Sequence, residues 1–358
     1  DLHSFPTRRS SDLVLSRILA VTFTNKAARE MRQRLADMLG EDASDRRFMP
    51  WMGTFHSICV RLLRIDGMSI GLSRNFIIYD EDDRLGLIKQ LMKSRGLTDR
   101  DIKPRRIAAA ISAAKNDMLS PDEYMMQAVG PVKQTIAELF AVYEAAMRRA
   151  GALDFDDLLL KALELLRSSP DIRHKWQQQF RHILIDEYQD TNAVQYALIK
   201  LLVGPERNLC VVGDDAQSIY SFRGADYTNI LNFERDFPGA AVIKLEQNYR
   251  STGAILTLAN NLIQHNTQRT DKNLWTEAVG GIAPQLWQLY SEAEEAQAVT
   301  DEIHRQARMG RAYSDMAVLY RTNAQSYAIE RALRQRHIPY KIVSTRSEER
   351  RVGKECRS

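Results

Sequence analysis

Apolar residues recur along this chain at two spacings. Short, mostly apolar runs at Ile18–Thr22, 183–185, 209–212, 242–245 and 316–320 read as strands, while longer stretches repeat every three to four residues and read as helices. Helical spacing predicts Asn25–Leu39, with Ala28, Met31, Leu35 and Leu39 on one face, then 80–96, 104–115 and 134–150. The last of these carries Ile136, Leu139, Phe140, Tyr143 and Met147 as one stripe. Such stripes face a core and carry no chemistry of their own. Asp154 reads as the N-cap of a further helix, with Asp156 and Asp157 favoured in its first turn by the helix dipole. Strand-rich segments therefore flank a helical block at 76–150, which predicts an α/β fold with an inserted helical subdomain.

The polar residues that close the strands carry the candidate chemistry. The run at 183–192, Ile-Leu-Ile-Asp-Glu-Tyr-Gln-Asp-Thr-Asn, delivers two adjacent carboxylates to a strand end. Asp186 is suited to hold Mg²⁺ through water, because that ion dehydrates reluctantly, and Glu187 to orient the water that attacks a γ-phosphate. Taken alone the pair is equally a strand-end turn with solvated acids. A second strand ends in Gly213-Asp214-Asp215-Ala216-Gln217-Ser218-Ile219-Tyr220-Ser221-Phe222-Arg223-Gly224-Ala225. Two parallel strands place such loops together at the carboxyl edge of a sheet, where ligands bind. The neutral amide of Gln217 can donate to a phosphate without neutralising a metal; a turn-capping role is the plain alternative.

The 358 residues suffice for two or three domains, and 44% hydrophobic with 27% charged is ordinary for a globular chain. No run approaches the roughly 20 apolar residues of a membrane span, and no secretory pattern is present. Cys59, Cys210 and Cys356 have no metal-ligand spacing, and their odd number argues against a disulfide framework, so a reducing cytoplasm is expected. A net charge of +4 is weak for a nucleic-acid binder, so contact with DNA would follow a local track.

The two long strings resemble motifs II and III of the superfamily-1A DNA helicases, the UvrD/Rep/PcrA family, and the resemblance extends over roughly residues 18–344. It implies RecA-like parallel sheets, with domain 1A at 14–75 and 151–244, helical subdomain 1B at 76–150, and part of domain 2A at 245–346. It also implies an ATP- and Mg²⁺-dependent motor moving 3′ to 5′ on single-stranded DNA and at single-strand/duplex junctions, in repair or replication. Asp186 and Glu187 would carry metal and hydrolysis, and Gln217 would sense the γ-phosphate. In Glu246-Gln247-Asn248-Tyr249-Arg250-Ser251, Tyr249 matches the aromatic that stacks on adenine and Arg250 the arginine that reaches the γ-phosphate. DNA contacts would fall on Thr22, Thr24, Asn25 and Lys26, on Phe55 and His56 of Gly53-Thr54-Phe55-His56-Ser57, on Tyr220 and Phe222, and on Arg321 and Asn323. Aromatic platforms suit that task, each stacked base contributing about 1–3 kcal/mol.

The sequence departs from the family pattern in two ways. Phe222 stands where many relatives have tryptophan, and no Gly-Lys-Thr or Gly-Lys-Ser phosphate loop occurs in the chain. Residues 1–13 and 347–358 lack either periodicity and read as non-native tails. With the phosphate loop and the family's motifs V and VI missing, the expectation is a chain inactive as an ATPase on its own. A nuclease-coupled recombination helicase and a non-catalytic single-stranded DNA-binding relative are the alternative readings.

Overall fold

The computed structural model describes residues 14–221 and 224–343. They form two compact units, one made of the residues up to 243 together with 267–271, the other of 244–266 and 272 onward.

In the first unit the strands are β1 (Ile18–Thr22), β2 (Met52–Thr54), β3 (Ile77–Ile78), β4 (Ala152–Leu153), β5 (His182–Ile185) and β6 (Leu209–Val211). Its longer helices are α1 (Asn25–Leu39), α2 (Phe55–Asp66), α3 (Glu81–Ser94), α4 (Pro104–Asn116), α5 (Pro121–Gln127), α6 (Pro131–Ala150), α7 (Phe155–Ser168), α8 (Pro170–Gln179) and α9 (Ala193–Leu202). Four strands make one parallel sheet in the order β2-β1-β5-β6. Thr22 lies beside Thr54, Val21 beside Ile185, and Ile185 beside Val211. The strands consequently end level, and every loop that follows one emerges at the same carboxyl edge. Leu19, Val21, Ile183 and Ile185 bury one face of the sheet against α2, α7 and α9 through residues such as Leu62 and Leu158.

Local chemistry starts each of these helices at the sheet edge. The Thr24 hydroxyl accepts from the Ala27 amide at the head of α1, and reciprocal capping boxes join Thr54 to Ser57, Asp154 to Asp157 and Asn192 to Gln195. The buried face of α1 departs from the expected stripe. Ala28 and Ala36 are buried, but Met31 and Leu39 are exposed, because Arg32 turns inward to bond the carbonyls of Phe48 and Met49 at 2.7 and 2.8 Å.

Helices α3, α4 and α6 share a separate core around Ile88, Ile107, Ile111, Phe140 and Tyr143. The block leaves and rejoins the rest of the unit through the short parallel pair β3–β4. After β6 come two single-turn helices, α10 (Thr228–Leu231) and α11 (Phe233–Asp236).

The second unit contains α12 (Gly253–Ile263), α13 (Glu292–Arg308) and α14 (Ser326–Gln335), with α13 and α14 packed around Ala296, Ile329 and Leu333. Two expected strands are corrected here: 242–245 and 316–320 form no ladder among the described residues. An apolar run becomes a strand only when a neighbour takes its amides and carbonyls. Without one, Val242, Leu245 and Leu319 stay exposed. No helix among the described residues is long and apolar enough to cross a membrane.

Candidate functional site

The acid pair sits where β5 stops. The Asp186 amide still donates to the Val21 carbonyl at 2.9 Å, so Asp186 is anchored to the end of β1, and its half-buried carboxylate lies 3.5 Å from the Thr22 hydroxyl. The next residue leaves the sheet abruptly. Glu187 adopts φ 53°, ψ 41°, a left-handed conformation that a non-glycine residue pays strain to hold and that clusters at functional sites. The turn throws its carboxylate outward while Tyr188 returns inward, the Tyr188 amide donating to the Val212 carbonyl at 2.9 Å.

Gln189 ties this turn to the loop after β6. Its buried amide donates from Nε2 to Glu187 Oε2 at 2.8 Å and accepts at Oε1 from the Asp214 amide at 3.0 Å. Gly213 makes that approach possible: a Cβ there would lie 2.7 Å from Gln189 Oε1 and 2.8 Å from Ile230 Cδ1. Beyond it, Gln217 is exposed and its amide donates to the Asp214 carboxylate at 2.8 Å. Asp190 closes the turn, 9% exposed, with Oδ1 lacking a hydrogen-bond partner; burial and the nearby Glu187 charge push its carboxyl up to about 6. Neither Gln189 nor Asp190 is singled out by the sequence pattern, although both lie inside the string that carries the acids.

The expected DNA contacts divide. Thr24 and Lys26 are exposed at the head of α1, where helix amides can receive a phosphate, and Asn25 is half-buried beside them. Tyr220 is 38% exposed in the loop that also holds Gln217. Three others are buried or half-buried. Thr22 is 2% exposed, with its hydroxyl turned toward the Asp186 carboxylate. Phe55 is 7% exposed and packs edge-on against Phe23 with ring centroids 6.0 Å apart, so neither face is open to a base. The amphipathic face of α2, with Phe55, Ile58, Cys59 and Leu62 at helical spacing, turns it inward. His56 is half-buried against Phe155 at 5.6 Å, and burial pushes its imidazole down to about 4, so it stands neutral at pH 7. Phe222 lies outside the described residues.

In the second unit Asn248 shapes the turn that presents Tyr249 and Arg250. Its Oδ1 accepts from the Arg250 and Ser251 amides at 3.0 and 2.8 Å. Tyr249 is 86% exposed, its hydroxyl donating to Gln247 Oε1 at 2.8 Å, and Arg250 is exposed beside it. Arg321 and Asn323 are exposed ahead of α14.

A parallel sheet with an acid pair and an amide-bearing loop at its carboxyl edge is the arrangement of a RecA-like α/β protein. The chain belongs to the UvrD/REP helicase family: residues 9–238 match the UvrD/REP helicase N-terminal domain, and residues 243–348 the UvrD-like helicase C-terminal domain. Its relatives include the ATP-dependent DNA helicase PcrA of Staphylococcus epidermidis, 46% identical over 91% of this chain, and that of Bacillus subtilis, 47% identical over 91%. The PcrA of Leuconostoc citreum is 46% identical over 96% of the chain. In each case the chain spans 44% of the relative's length.

Proposed function

We propose that these residues form the greater part of the ATP- and DNA-handling core of a 3′ to 5′ DNA helicase acting on single-stranded DNA and its junctions with duplex. On this reading, residues 14–75 and 151–244 are domain 1A, 76–150 subdomain 1B, and 245–346 part of domain 2A. The observation that carries it is the linkage at the carboxyl edge: Gln189 joins Glu187 directly to the loop bearing Gln217 and Tyr220. A side chain that polarises water is thereby mechanically tied to an exposed aromatic that can stack on a base.

The donor set fits Mg²⁺ bound with a nucleotide. Asp186 offers one carboxylate at a strand end, and no group of three or more His, Cys, Asp or Glu side chains among the described residues makes a cage of its own. That suits an ion that keeps most of its waters and shares phosphate oxygens with the substrate. The ion would neutralise phosphate charge, while Glu187 orients water and Gln217 reads the γ-phosphate. Tyr249 offers an open ring for adenine, and Arg250 a guanidinium for phosphate.

The DNA half of this reading is tested with a fluorescently labelled oligo-dT and the 358-residue chain. Tyr220→Ala is expected to weaken binding at fixed salt by roughly 5- to 150-fold, the loss of about 1–3 kcal/mol of base stacking. Unchanged anisotropy curves would remove Tyr220 from the DNA track.

A further inference from the structure

We propose that Asn116, the last residue of α4, is a positioning residue that sets the Gln217–Tyr220 loop against the turn following Glu187. This rests on the reading above of that loop as the contact with ATP and DNA. Asn116 belongs to the inserted helical block, yet its side chain reaches the sheet edge. Nδ2 donates to the Ser112 carbonyl at 2.9 Å, which fixes the amide's orientation, and Oδ1 accepts from Asn192 Nδ2 at 2.6 Å. Asn192 is 8% exposed and caps α9, its Oδ1 accepting from the Gln195 amide at 2.9 Å. It is also where the two loops meet. Asn192 forms an antiparallel bridge with Ala225, and the Asp226 amide donates to the Thr191 carbonyl at 3.0 Å. Gly224, at φ +84°, passes so close to Asn116 that an added Cβ would sit 3.5 Å from its side chain.

The position of Asn116 is fixed from behind. The preceding residue, Lys115, is buried among Asp157 at 2.6 Å, Glu144 at 2.8 Å and Asp154 at 2.9 Å, which locks the end of α4 to the head of α7. A shift of the helical block is therefore transmitted through one short hydrogen bond to the segment holding both loops. No other polar side chain of α4 reaches Asn192; Ser112, one turn earlier, is taken by Asp156.

Hydrogen exchange with mass spectrometry on the 358-residue chain tests this. Asn116→Ala should speed exchange roughly tenfold in peptides covering 188–192 and 217–226, with the amides of α3 and α6 unchanged. Asn116→Asp keeps an acceptor for Asn192 but loses the donor to the Ser112 carbonyl, so its loops should exchange faster than the parent's and more slowly than those of Asn116→Ala. Asn192→Ser, which keeps a good helix cap but removes the amide donor, should loosen the same peptides. Unchanged loops in Asn116→Ala would overturn the proposal, as would equal loosening throughout α3 to α6, or unchanged loops in Asn192→Ser. Oligo-dT binding separates this inference from the reading beneath it. If Tyr220→Ala weakens binding and Asn116→Ala does not, the positioning role is wrong; if neither changes binding while the loops loosen, the DNA reading of the loop fails instead.

Discussion

At the scale of single residues, the site depends on groups that hold one another at their limits of approach. Gly213 is one such point: a Cβ there would meet Gln189 Oε1 and Ile230, with the Tyr188 amide nitrogen 3.2 Å away. Gly213→Ala is therefore expected to cost about 1–3 kcal/mol of stability by thermal unfolding, since neither the backbone nor the bridging amide can yield freely. A midpoint equal to that of the parent chain would mean that the approach is looser than described. Asp186, Glu187 and Gln217 are legible in the sequence through the two long strings that resemble helicase motifs II and III, since acids and amides closing apolar runs read equally as turn and cap residues when taken alone. Gln189 and Asp190 are not, because their roles arise from the left-handed turn at Glu187, which no local propensity announces. Phe55 carries a second pattern as well: its spacing to Ile58, Cys59 and Leu62 marks a core face, in keeping with its burial.

At the scale of elements, α1, α3, α4, α6 and the start of α7 are legible to within a few residues, since a 3.6-residue period and a cap such as Asp154 are local signals, whereas α2, α5, α8, α9 and α12 to α14 are not picked out by the sequence pattern. Strands were legible only where partners exist, so β1, β5 and β6 appear and 242–245 and 316–320 do not. The junction of α4 with α7 was hidden for a different reason: ion pairs between Lys115 and Asp154 or Asp157 span about forty positions of sequence. Burial holds Asp157 up, to about 8, while Lys115 and Arg84 overcome the burial of Asp154 and draw it down. Lys115→Met leaves these carboxylates buried without their cation and should cost about 3–5 kcal/mol. The sign of its pH dependence follows. A carboxyl raised in the folded state binds a proton that the unfolded chain has already released, so stability falls as pH rises from about 4 to 8. The parent shares that loss, but removing Lys115 takes away the charge that draws both Asp154 and Asp157 down, so the deficit of Lys115→Met should be larger at pH 8 than at pH 5, and a deficit independent of pH would show that the lysine acts only through packing.

At the scale of the whole chain, the two units differ in how much they bury. The first has large cores on the sheet and within α3, α4 and α6, although β6 forms its sheet edge among the described residues and Cys210 and Val212 are exposed there. The second gathers only a small cluster about α13 and α14 and leaves Leu286, Tyr290 and Leu319 more than nine-tenths bare or nearly so. Amides of α13 and α14 should therefore exchange before those of α2, α7 and α9, and the exposed edge and apolar side chains should favour aggregation on heating. Uniform protection across both units would contradict this. The proposal that Glu187 drives hydrolysis coupled to DNA is tested by ATP turnover with and without oligo-dT, alongside nucleotide affinity, in a protein carrying these residues together with a phosphate-binding loop. Glu187→Gln is predicted to leave nucleotide affinity close to that of the parent while DNA-stimulated turnover falls by about 10²- to 10⁴-fold. Turnover that persists in Glu187→Gln, or affinity lost in parallel with it, would contradict the account.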